Sequence, residues 1–229
     1  MKRSKKECDL QSCFFCRSCL KEWLPAIGLH RQNFNLKKGE ILFQEGDPVT
    51  GVYFVYSGKV KVHKKWGDKE LIVRFANQGA IVGHRGLGKA GTYPVSATAI
   101  EPVTVCFIDL DFFLTTLRVN HDFTFELMMF FAEELQLSER KMRNLAHMSV
   151  KGRVAQALLS LQDRFGTTTE GFINISLSRQ DLASFAGTTY ETVFRIINDL
   201  TQENVLSVSA KNIIILDRDR LIALTRDWE

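Results

Sequence analysis

The sequence predicts an α+β chain made of an N-terminal antiparallel β-roll, a long helix and a C-terminal winged helix-turn-helix. Three observations carry this reading. Short alternating strands punctuated by glycine run from Asn33 to Asp109, no glycine or proline occurs from Asn120 to His147, and two cappable helices flank Gly187 near the end. At 229 residues and 45% apolar content the chain can bury one or two cores and is not of disordered composition. Four segments are expected: a cysteine-rich N-terminal segment (1–30), the roll (31–118), a long helix (119–147) and the winged helix-turn-helix (148–229).

In the roll, Ile41-Leu42-Phe43 leads to a turn at Gly46-Asp47. Val52 to Tyr56 then meets a turn at Ser57-Gly58 and returns as Val60 to His63. Leu71 to Phe75 and Val103 to Ile108 complete the series. Strands at this spacing favour a roll or barrel, and periodicity alone leaves any small β-sandwich open.

Along the long helix, Met128, Phe131, Leu135, Ser138, Met142 and Leu145 recur at alternating three- and four-residue steps, the seam of a short coiled coil. Such a seam suggests a second copy and therefore a homodimer, with an amphipathic helix lying on its own domain as the alternative. A further helix is expected from Lys151 to Phe165.

Ser178 stands before Arg179-Gln180-Asp181 as a cap, and Leu182, Phe185 and Ala186 are expected to face inward. After Gly187, Thr188 with Glu191 has the spacing of a capping box, and Val193, Ile196, Ile197 and Leu200 form the buried stripe of a second helix. Thr189, Tyr190, Glu191, Thr192, Phe194 and Arg195 lie at or near its N-terminal end, the end that a recognition helix puts into the major groove. Arg195 can donate twice to guanine and Glu191 can accept from cytosine; the plainer alternative is a surface ion pair at i,i+4. Two strands, 205–208 and 213–216, flank Ser209-Ala210-Lys211-Asn212 as a wing, with Lys211 placed to touch phosphate. Ser178, Arg179 and Thr188 complete the expected DNA-contacting set. Charge does not locate this interface, because residues 150–229 hold 9 Lys and Arg against 10 Asp and Glu.

Four of the five cysteines, Cys8, Cys13, Cys16 and Cys19, crowd the first twenty residues, and the fifth is Cys106. Thiolates two residues apart can chelate one centre, either a tetrahedral zinc or an iron–sulfur cluster. Zinc held by the four N-terminal cysteines would leave Cys106 as a small buried hydrophobe, and uncoordinated or redox-active thiols are the third option. The apolar stretches fall short of the ~20 residues of a bilayer span, and the start, MKRSKKECD, has no apolar signal core. A cytoplasmic protein without a membrane partner is expected.

The stretch Leu177-Ser178-Arg179-Gln180-Asp181-Leu182-Ala183, with Glu191-Thr192-Val193-Phe194-Arg195-Ile196-Ile197 beyond Gly187, resembles the signature of the Crp/Fnr superfamily of transcription regulators. The order of elements resembles that family over nearly the whole chain. The resemblance implies a cupin-like roll of the cyclic-nucleotide-binding-domain type, a homodimer, double-stranded DNA with a palindromic site, and RNA polymerase as a further partner. It implies that Glu191 and Arg195 read the TGA core of each half-site. Phe194 stands where a small residue is usual, which leaves the outer bases open.

The cysteines resemble those of the fumarate and nitrate reduction branch, in which three N-terminal cysteines and one late in the roll hold an oxygen-labile 4Fe-4S cluster. That implies Cys13, Cys16, Cys19 and Cys106 as ligands, with Cys8 as the alternative, although the N-terminal spacing is tighter than in that branch. His84 and Tyr93 stand near the positions where the cyclic-AMP-binding branch carries its ribose-binding glutamate and phosphate-binding arginine. Burying a phosphodiester without that guanidinium is unfavourable, which argues against cyclic AMP, with Arg85 or Arg74 as the residues able to substitute. An enzyme is not expected. The five histidines show no H-x-H pair for a cupin-like metal oxygenase, and Gly86, Gly88 and Gly91 read as a loop and not as a nucleotide fingerprint.

Overall fold

The computed structural model describes residues 2–4 and 13–226, which form two compact units, Met1–Leu135 and Gln136–Glu229. The first unit contains β1 (Lys2–Ser4), α1 (Phe14–Ser18), α2 (Leu24–His30), β2 (Gln32–Leu36), β3 (Ile41–Phe43), β4 (Gly51–Ser57), β5 (Val60–Trp66), β6 (Lys69–Ala76), β7 (Ile81–Val82), β8 (Ser96–Ala99), β9 (Val103–Asp109) and α3 (Leu110–Val119). Helix α4 (His121–His147) continues into the second unit, which adds α5 (Val150–Phe165), α6 (Arg179–Ala186), α7 (Tyr190–Gln202), β10 (Leu206–Ser209), β11 (Asn212–Ile215) and α8 (Arg218–Leu224).

The strands form two antiparallel sheets, ordered β1-β2-β9-β4-β7 and β3-β8-β5-β6. The five strands read from the sequence are present, four of them longer by up to three residues. β2 and β8 escaped that reading because Asn33 and Asn35 dilute the first and the second is the small-residue run Ser96-Ala97-Thr98-Ala99. Helix α3 also lies inside the segment read as roll. Its start is set by Asp109, whose carboxylate accepts from the Phe112 N–H at 2.9 Å.

β4 and β9 are apolar on both faces, and the two parities serve different cores. Tyr53, Val55, Val103 and Val105 point into the roll with Phe43, Val62 and Tyr93. Val52, Phe54, Cys106 and Ile108 point outward, where they join Phe15, Ile27, Phe112, Phe113, Phe123 and Leu127 from the helices. Helix α4 thus has an inward stripe of Phe123, Leu127, half-buried Phe130 and Glu134. Met128, Phe131, Leu135 and Met142 of the expected seam are exposed on the single chain, and Ser138 and Leu145 are half-buried.

The second unit packs α5, α6, α7 and α8 around Val154, Leu158, Leu182, Val193, Ile197, Leu200 and Leu221. Gly152 is needed there: a Cβ would meet the Leu224 carbonyl oxygen at 2.7 Å and Met148 Cγ at 2.9 Å. Among the described residues no helix is long and apolar enough to cross a membrane.

Candidate functional site

Helices α6 and α7 form the expected helix-turn-helix. Ser178 Oγ accepts from the Asp181 N–H at 2.9 Å and donates to the Asp181 carboxylate at 2.6 Å, so this side chain is engaged in starting α6. Gly187 closes that helix in the left-handed region at φ 67°, and the Thr188 N–H reaches the Ala183 carbonyl at 3.0 Å. The second cap is therefore Thr189 and not Thr188: its hydroxyl accepts from the Thr192 N–H at 3.3 Å. The capping box expected between Thr188 and Glu191 does not form, because Thr188 is consumed by the end of α6 and the next helix starts one residue later.

The turn is held from below by Arg153 of α5. Its guanidinium donates to the carbonyls of Met148 (2.9 Å), Ala186 (3.0 Å) and Gly187 (3.2 Å). Phe185, expected inside, is half-buried with the Lys141 ammonium 4.5 Å from its ring centre. Val193, Ile196, Ile197 and Leu200 are buried as expected.

The opposite face of α7 begins with exposed Thr189, Tyr190, Glu191, Phe194 and Arg195, with Thr192 half-buried. Among the described residues Glu191 and Arg195 form no ion pair with each other or with any other group. The fold thus leaves one acceptor and one fork of donors free at the end of the helix with the positive dipole. The wing hairpin pairs β10 with β11 through only Ala210 and Lys211, a tighter tip than the four-residue one expected. Lys211 is exposed there, whereas Arg179 is half-buried and donates to the Ala210 carbonyl at 3.4 Å, tying α6 to the wing.

Helix α1 lies between two cysteines, with Cys13 before it, Cys16 within it and Cys19 at its end. All three are buried in the outward apolar cluster of the first unit together with Cys106. Burial, and then the nearby Cys13, pushes the Cys19 thiol up to about 12. Cys8 lies outside the described residues. Among the described residues no three His, Cys, Asp or Glu stand close enough to hold a metal ion. The four sulfurs nonetheless enter one apolar cluster, and thiolates are the donor type that soft metals take.

The same segment packs on α4. The Phe15 ring sits 5.1 Å from Phe123, and Phe14 sits 5.8 Å from Phe123 and 5.6 Å from Phe130. The Leu20 N–H donates to the Asn120 side chain at 2.9 Å and the Trp23 indole donates to Thr116 at 3.0 Å. Sequence reasoning missed these contacts, for which the cluster of Phe14 and Phe15 among the cysteines was the available signal.

A second missed feature is a buried charge cluster on α4. The Glu134 carboxylate takes Arg74 at 2.9 Å and Arg85 at 2.6 Å, with His84 Nε2 at 4.0 Å. Burial pushes the Glu134 carboxyl up, but Arg74 and Arg85 outweigh it and hold it below the ordinary range. Burial, with the two guanidiniums, keeps His84 well below the ordinary imidazole range. Inside the roll, Tyr93 is fully buried, its ring 4.0 Å from Phe43, and its hydroxyl donates to the Gly51 carbonyl at 2.7 Å.

A β-roll followed by a long helix and a winged helix-turn-helix with an unused reading face defines the class of DNA-binding transcription regulators. Residues 33–120 match the cyclic nucleotide-binding domain and residues 152–224 match the Crp-like helix-turn-helix domain. The transcriptional activator protein anr of Pseudomonas aeruginosa is 32% identical over 82% of this chain and 78% of its own length. The cAMP-activated global transcriptional regulator CRP of Salmonella typhimurium is 33% identical over 76% and 84%. The structure of FixK2 from Bradyrhizobium japonicum superposes with a TM-score of 0.77 at 26% identity, covering 87% of this chain and 99% of that one. The chain belongs to the Crp/Fnr family of transcription regulators, and the relatives named are regulators, not enzymes.

Proposed function

We propose that this regulator is a homodimer that reads a palindromic site with the first two turns of α7 and senses oxygen, nitric oxide or redox state through a 4Fe-4S cluster. The observation that carries the sensing reading is the burial of Cys13, Cys16, Cys19 and Cys106 in one apolar cluster against α4. These four are the proposed ligands, with Cys8 as the alternative to one of the N-terminal three. The four cysteines would supply the thiolates that hold the cluster, and an oxygen-labile cluster there would be a labile tie between the N-terminal segment and β9.

The chain's own part is mechanical. Phe14 and Phe15 rest on Phe123 and Phe130, so a shift of α1 changes how the inward stripe of α4 is covered. The seam of Met128, Phe131, Leu135 and Met142 is exposed on the same helix and is the surface a second copy would cover. Loss of the tie would then alter pairing and, through it, affinity for a two-fold site. RNA polymerase is the further partner that membership of the family suggests. Zinc in the same thiolates is the competing occupant. Against cyclic AMP, Tyr93 and Phe43 stack inside the roll, and Glu134 already occupies the Arg74 and Arg85 guanidiniums, with His84 Nε2 4.0 Å from the same carboxylate.

Two measurements test this. Protein reconstituted without air is expected to carry iron and sulfide at about four each per chain, with broad visible absorption that bleaches in air. Cys106→Ser is expected to abolish it and Cys8→Ser to leave it intact; zinc instead of iron would sink the sensing role alone. Arg195→Ala is expected to cost ~1–3 kcal/mol per half-site at one G·C pair and to erase selectivity there. Unaltered discrimination would refute the docking of α7.

A further inference from the structure

Tyr190 and Phe194 stand one turn apart at the N-terminal end of α7, their rings nearly parallel at 15° and 6.2 Å between centres. They are 43% and 49% exposed on a helix whose opposite stripe is fully buried. Neither ring therefore contributes to the core of the second unit. A pair of exposed rings at i,i+4 adds only modestly to the helix itself, and two large exposed aromatics side by side make a surface suited to being covered by a partner. Their neighbours on the same face are Glu191 and Arg195, the polar groups that suit base edges, with exposed Lys211 on the wing of the same unit. That charge pattern selects duplex DNA as the occupant over an apolar protein groove.

The major groove presents one apolar group that projects from its floor, the C5 methyl of thymine, among donors, acceptors and the flat C5–H edge of cytosine. A phenyl ring can gain there only by meeting that methyl, since it would otherwise strip water from polar edges without replacing the hydrogen bonds. We infer that Phe194, braced by the ring of Tyr190, selects a thymine in each half-site by its methyl group, beside the base pair read by Arg195. This rests on the DNA-reading role of α7 and assigns a base class to a position that Glu191 and Arg195 do not cover. Tyr190 acts as a positioning residue: stacked against Phe194, it limits the rotamers of that ring and leaves its own hydroxyl free for a phosphate or water.

The test removes only the methyl. The full-length chain, purified both with and without air, selects duplexes from a random pool, and each thymine of the selected site is then replaced singly by uracil. One position per half-site is expected to lose roughly fourfold in affinity, on the order of fifteenfold when both half-sites are altered, and other thymines to stay within twofold. In Phe194→Ala the penalty is expected to vanish while recognition of the G·C pair by Arg195 persists. Tyr190→Ala is expected to reduce the penalty without abolishing it. Uracil tolerated at every position by the parent, or a penalty that survives Phe194→Ala, would overturn the inference while leaving the regulator reading intact. Failure to select any duplex in either state would defeat the reading of α7 on which it rests, and the inference with it.

Discussion

Glu134 of α4 and Arg74 of β6 meet at 2.9 Å where the inward stripe of the helix ends, with side chains only 11% and 8% exposed. Phe123, Leu127 and Phe130 precede Glu134 on that stripe, and the Arg74 guanidinium also lies 5.6 Å from the Phe130 ring. The apolar dock of α4 on the roll is thus closed by an ion pair, and by Arg85 on the other carboxylate oxygen.

Glu134→Gln keeps the shape and removes the charge, leaving two guanidiniums without their counter-ion. A loss of about 3 kcal/mol is expected in urea unfolding, because breaking one side of a buried pair exposes the full desolvation cost of the other. Arg74→Met with Glu134→Leu is expected to be closer to the parent than Glu134→Gln, since it removes the more deeply buried of the two orphaned guanidiniums and leaves only Arg85, whose side chain is 26% exposed and can reach water. The reverse ranking would show that the pair itself stabilises the dock.

The cap of α7 separates two adjacent threonines. Thr189→Ala is expected to lower stability by ~1 kcal/mol through loss of the bond to the Thr192 N–H, and Thr188→Ala by much less. Thermal unfolding of both variants decides this, and equal losses would return the cap to the position read from the sequence.

Cys19, with its thiol pushed up to about 12, holds almost no thiolate at pH 8 in the metal-free chain. Alkylation by iodoacetamide is expected to be on the order of a hundredfold slower in the folded protein than in urea, followed by mass spectrometry of the Cys19 peptide. Native labelling at the unfolded rate would contradict its placement in the apolar cluster.

Glu70 lies 2.9 Å from His63 Nδ1 and accepts from Lys61 at 2.7 Å, and His63, with Lys61, lowers its carboxyl from 4.5 to about 2 against the effect of burial. A carboxyl depressed in the folded state stabilises fully above its unfolded value and loses this as pH falls through the folded one. The stability advantage of the parent over Glu70→Gln is therefore expected to be present at pH ~5 and to shrink between 4.5 and about 2. A difference that does not change over that window would mean that the two partners do not favour the ionised form.

The reading face of α7 was legible because it depends on local rules: cap, glycine turn and 3.6-residue period act within a dozen residues of each other. The same rules misplaced the cap by one position, since they could not show that the end of α6 uses Thr188. β8 and β2 were illegible because their pairing partners, β5 and β9, are far along the chain, and their own residues are small or polar. The ion cluster was hidden for a stronger reason. Arg74, Arg85 and Glu134 are sixty residues apart at most, and nothing in the spacing of two arginines and a glutamate says that they will meet.

The sequence by itself determined the order of elements, the helix-turn-helix and the sulfur inventory, because periodicity, capping and residue chemistry are properties of short stretches. It also determined that Val105 and Cys106 face opposite sides of their strand, since successive side chains alternate. Only the tertiary structure decided which side Cys106 shares with the N-terminal cysteines, and which stripe of α4 is docked and which is free. Those outcomes depend on which apolar surfaces find each other across a hundred residues, and burial is decided by the whole packed unit and not by any one segment of it.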